Sequence, residues 1–155
     1  MGLTLQFAVG QKETIISAVE KEDFEFLEKL DVESNIADLS FHLEPNDLNL
    51  LVTAATELLK VNPTGLREHL DFDEHFFDAA DRGAVYVHPN IPLLFAALET
   101  KDSEDLAKRW FLALSSQYNE EIKVTPELID AIKQLITICK KTNEQNQDLV
   151  HIWFA

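Results

Sequence analysis

The 155-residue chain has one cysteine, four glycines, one methionine and only 13 basic side chains against 28 acidic ones. Each shortage closes off something. With Cys139 alone no internal disulfide can form, which suits a reducing compartment; it lies on the apolar stripe of an expected helix and reads as a small buried hydrophobe. The Pro/Gly-containing break Asn62–Gly65 lacks the glycines and the Lys-Ser/Thr ending of a phosphate loop. Ser115 and Ser116 have no Gly-x-Ser-x-Gly elbow around them and do not read as nucleophiles. No apolar run approaches the roughly 18 residues needed to span a bilayer. The opening MGLTLQFAVG has no positive flank and is interrupted by Gln6, so it does not read as a secretion signal. Gln6 also breaks the myristoylation pattern despite Gly2. The expected location is the cytoplasm.

Scarce cations leave a formal charge of −15. It is uneven. Residues 1–82 carry 18 acidic and 6 basic side chains, a net of −12, and residues 83–155 carry 10 and 7, a net of −3. Such a chain repels nucleic-acid phosphates and anionic membranes, which demand neutralising cations. Nucleic acid and membrane are therefore not expected partners, and a basic protein is.

What is present supports one folded unit. A hydrophobic content of 46% is ordinary for a globular chain and too high for disorder. At this length about 70% of the unfolded surface can be buried. Alternation of Leu3, Leu5, Phe7 and Val9 with polar or small residues predicts a strand ending at Gly10. Two helical segments follow, the first with Ile15, Ile16 and Val19 inward, the second with Phe24, Leu27 and Leu30. Ser34–Glu44, with His42, is ambiguous. Pro45 and Asn46 open a helix whose stripe runs from Leu48 to Leu59. Beyond a short β-rich run at Ala84–His88, Asn90 opens another helix. Asp102–Asp105 start the next, with Leu106, Trp110 and Leu114 as its stripe. Thr125 caps the last helix with Pro126 at its first position, and a final strand covers Leu149–Phe154, placed beside Leu3–Val9. The expected fold is α+β: a predominantly helical single domain over residues 1–155, with a small sheet from N-terminal, central and C-terminal strands.

The densest chemistry lies in Leu66–Pro89. As a strand, this stretch would put His69, Asp71, Asp73 and His75 on one side, a set able to hold a divalent transition metal. As a helix, Asp71 is an N-cap with Glu74 three residues later. Phe72, Phe76, Ala79 and Ala80 then form a stripe, and Gly83 closes it in the left-handed conformation. Start, stripe and stop agree on the helix, which separates His69 from His75 around the axis. Counting from Asp71, Phe76 and Arg82 occupy the positions where a calcium loop needs Gly and Glu.

The function expected from these residues is a non-enzymatic acidic module for a basic protein partner, in the manner of an inhibitor or immunity-type protein, with no cofactor. Its binding residues would be Glu20, Glu22, Asp23, Glu25, Glu28, Asp73, Glu74, Asp78 and Asp81. The alternative is a small metal- or acid–base-dependent enzyme using His69, Asp71, Asp73 and His75, with His88 as a further member.

Overall fold

The computed structural model describes residues 4–41, 47–62 and 76–155. Among these, β1 (Thr4–Gly10), β2 (Ile36–Asp38), β3 (Phe76–Asp78), β4 (Arg82–Tyr86) and β5 (Asp148–Phe154) form one sheet. Their order is β2-β1-β5-β4-β3, and every neighbouring pair is antiparallel. The helices are α1 (Lys12–Glu20), α2 (Phe24–Val32), α3 (Asp47–Leu59), α4 (Asn90–Ala96), α5 (Ser103–Tyr118) and α6 (Pro126–Glu144). The fold is thus α+β and mostly helical. As expected, the two apolar end segments pair, from Thr4↔Phe154 to Gly10↔Asp148.

Helices cover both faces of the sheet. On one, Leu5, Phe7, Val9, Val85, Leu149 and Trp153 pack with α3, α4, α5 and α6 around the fully buried Trp110. The Trp110 indole N–H donates to the Asp47 carbonyl at 2.9 Å, so this large side chain is buried without an orphaned donor. On the other face, Ala8, Ala84, Val150 and Ile152 meet Ile15, Ala18 and Val19 of α1 and Leu27 and Leu30 of α2. Burial on both sides is why β5 reads as an apolar run rather than an alternating strand.

Local chemistry sets the helix ends. The Asp23 carboxylate accepts from Phe26 N–H at 3.2 Å, and the Thr125 hydroxyl accepts from Leu128 N–H at 3.2 Å. A Thr or Asp cap of this kind contributes about 1 kcal/mol. With glycine so scarce, the chain leaves its helices through other residues in the left-handed region. Glu22, Ser34, Lys60, Asn119 and Asn146 follow α1, α2, α3, α5 and α6 with φ of 54°, 60°, 57°, 52° and 52°. Cys139 is buried as its stripe position requires, and desolvation pushes its thiol well above the ordinary range.

The central helix expectation is overturned where the structure describes it. Phe76–Asp78 and Arg82–Tyr86 are the strands of a hairpin, paired Phe76↔Val85 to Asp78↔Gly83, and Ala79 N–H donates to the Arg82 carbonyl across the turn. Gly83 lies in extended β4 rather than closing a helix. Its role is space. Gly83 pairs with Trp153, and a Cβ on it would lie 2.0 Å from Trp153 Cζ2. Capping signals and an i, i+4 stripe are local, whereas β4 is stabilised by pairing with β5 far along the chain, and the tertiary pairing wins. Strand β2, within the ambiguous 34–44 stretch, is formed the same way, against β1. The proposed cap Asp71, the residues His69, Asp73, Glu74 and His75, and His42 lie outside the described residues.

Candidate functional site

Arg82 is the residue that organises the acidic surface. It projects from β4 on the α1 side of the sheet, in register with Phe154. Its Nε donates to the Val19 carbonyl at 3.0 Å and its Nη2 to the Glu20 carbonyl at 2.7 Å. These belong to the last turn of α1, where unpaired carbonyls and the helix dipole favour a cation. Nη1 meets Asp81 Oδ1 at 2.9 Å and comes within 4.0 Å of Glu22 Oε1. Its stem passes Phe77, with the guanidinium carbon 5.3 Å from the ring centroid. The side chain is only 19% exposed.

This one cation joins two acidic runs that are far apart in sequence. Glu20, Glu22 and Asp23 lie at the α1–α2 connection, and Asp78 and Asp81 lie on and beside the β3–β4 turn. All five are exposed, as are Glu25 and Glu28 on α2. Asp78 is in register with Gly83 and so faces the Trp153 side of the sheet, which leaves Glu20, Glu22, Asp23 and Asp81 at the Arg82 corner. Arg82 and the exposed Lys21 do not neutralise these four. Asp73 and Glu74, the remaining expected members, lie outside the described residues.

The bond set makes Arg82 a clamp, and a prediction follows. The exposed carboxylates contribute little on their own, but the Val19 and Glu20 carbonyls at the end of α1 would lose a charge-assisted donor. Arg82→Met, which keeps the apolar stem, should therefore lower the unfolding free energy by about 2 kcal/mol. The loss should shrink in high salt, because screening relieves the newly unopposed carboxylates. Denaturant titrations at two ionic strengths measure both effects. A variant as stable as the parent at low salt would show that the clamp is dispensable.

The histidines do not converge among the described residues. His88 Nδ1 accepts from Asn90 N–H at 3.2 Å, a turn-stabilising bond at the start of α4. His151 is buried mid-sheet, stacked on Phe7 at 5.0 Å and tilted against Trp153 at 5.5 Å. Its Nε2 has no hydrogen-bond partner, and burial lowers its pKa from 6.5 to about 4. Among the described residues no group of three or more His, Cys, Asp or Glu side chains could hold a metal ion. None of their helices is long and apolar enough to cross a membrane.

Sequence reasoning missed the two features that shape this region. The acceptors of Arg82 at the end of α1 are invisible in sequence, although an arginine flanked by Asp81 in an acid-rich half is a signal of pairing. Phe24, at the start of the second helical segment, is 52% exposed, with its ring 5.6 Å from that of Phe154. No protein-family model, no curated protein and no solved structure matches this chain.

Proposed function

We propose that this chain is a non-enzymatic acidic module that docks a basic protein, in the manner of an inhibitor or immunity-type protein. The observation that supports it most is the Arg82 clamp, which ties Asp81 to the end of α1 and comes within 4.0 Å of Glu22, so that Glu20, Glu22, Asp23 and Asp81 lie at one exposed corner. A solubilising charge needs no such gathering. The buried, protonated thiol of Cys139 suits work in a reducing cytoplasm.

A concentrated negative field raises encounter rates with cationic surfaces and rejects anionic ones. The test begins by retaining partners from host lysate at low salt and purifying the enriched basic protein. With Glu20→Lys, Glu22→Lys, Glu25→Lys and Asp81→Lys combined, association should slow by roughly 10- to 1,000-fold, with a much smaller change in dissociation. Circular dichroism checks that the variant keeps its helix content. Enrichment of no basic protein, or capture that survives the four reversals, overturns the proposal.

A further inference from the structure

The corner where α2 passes over β1 and β2 has an open sheet edge. β2 is the outermost strand on its side. Val9 N–H donates to the Asn35 carbonyl at 2.9 Å, and Leu39 N–H donates to the Leu5 carbonyl at 2.8 Å. Residues 35, 37 and 39 therefore turn their backbone groups toward β1. Antiparallel ladders alternate, so the N–H and C=O groups of Ile36 and Asp38 point away from the sheet. Among the described residues no hydrogen bond reaches them. An edge of this kind is a template for another strand.

Beside the edge runs a groove of about 310 Å³. Phe24, Leu27, Ile36 and Phe154 give it apolar walls, with Thr4 and Gln6 at the sheet side. The half-exposed Phe24 ring rests on Phe154, its centroid 5.6 Å away, so the two rings form one apolar wall. Glu28 and Asp31 of α2 also line the groove, and among the described residues no lysine or arginine does. Asp38 is exposed on β2 itself, where its carboxylate holds the Ser40 N–H and hydroxyl. Gln6 pairs with Asp38 and lines the groove, which puts Asp38 on the groove side of the sheet.

We infer that this corner receives an extended segment of a basic protein partner as a strand added beside β2. One apolar side chain would enter the groove, and a lysine or arginine two residues away on each side would meet Glu28, Asp31 and Asp38. The spacing follows from the pleat: every second side chain of an added strand faces α2. The main chain supplies affinity, and the groove and its carboxylates supply specificity. The inference rests on the reading that the partner is basic, and it names the segment that such a partner must present.

The probe is a capped peptide built around Lys-Thr-Val-Thr-Lys, followed by amide chemical shifts of the full chain. The largest shifts should fall at Ile36, Ala37 and Asp38 and around Phe24. Phe24→Ala, or Glu28→Lys with Asp31→Lys, should weaken binding by roughly tenfold or more. Methylating the peptide nitrogens along one backbone edge should abolish binding, while methylation along the other edge leaves it. The inference is overturned by absence of binding, by indifference to both methylation patterns, or by shifts centred on Glu20–Asp23 and the β3–β4 turn. If it fails while the four reversals still abolish capture of a basic protein, the acidic-module reading stands alone. If the peptide binds at β2 and no basic protein is captured, the edge site stands and the acidic face falls.

Discussion

Gly83→Ala should lower the unfolding free energy by roughly 1–3 kcal/mol, the usual range for overpacking a filled site. A methyl at residue 83 would sit 2.0 Å from Cζ2, 2.4 Å from Cε2 and 2.6 Å from Cη2 of Trp153. The obstacle is a rigid indole that is 9% exposed and packed in the core, so it cannot swing clear without disturbing its neighbours. The effect belongs to one pair, which a double-mutant cycle isolates. In a Trp153→Leu background the same Gly83→Ala change should cost far less. Denaturant unfolding gives the energies, and tryptophan emission reports the displaced indole over the background of buried Trp110. An equal cost in both backgrounds would show that Gly83 serves backbone freedom instead of room for Trp153.

Acid should weaken the fold through His151. Its pKa is 6.5 in an ordinary setting and about 4 in the folded chain, because burial disfavours the imidazolium. The folded value is the lower one, so below pH 6.5 the unfolded state binds the proton first. The stability this residue contributes is therefore present above pH 6.5. It is lost progressively as pH falls toward 4, by roughly 3 kcal/mol in all. Falling pH also relieves repulsion among the many carboxylates, an opposing trend. Comparison with His151→Phe separates the two, since phenylalanine keeps the stack on Phe7 and cannot titrate. The stability difference between parent and variant should shift in favour of the variant between pH 6.5 and 4. At pH 7 the substitution should cost little, because it also removes a buried nitrogen with no partner. Parallel curves over that interval would show that His151 stays neutral in both states or is charged in both.

The features legible from sequence were those whose causes lie within a turn or two of chain. Thr125 caps the next helix through an N–H three residues on, so cap and stripe located α6 directly, while α2 was legible from the spacing of Leu27 and Leu30. The alternation of Leu5, Phe7 and Val9 and the apolar run near the C-terminus marked β1 and β5. Their pairing could be anticipated because strands that apolar need partners. The exposure of the acidic run from Glu20 to Glu28 followed from the cost of burying unpaired charge.

Tertiary structure decided the rest, because the deciding contacts are distant in sequence. The stretch ending at Arg82 carries good helix signals, yet its described part is a hairpin, stabilised by β5 and by the space that Gly83 leaves for Trp153. The acceptors of Arg82 are carbonyls 62 and 63 residues earlier. Asp81 and the acidic end of α1 are tied together by that side chain. The open edge at Ile36 and Asp38 exists because a three-residue strand found β1, a pairing that no local pattern in the ambiguous segment announces. Hydrophobic periodicity says which side of an element is buried; the partner that buries it, and the surface left beside it, are set by packing across the sheet.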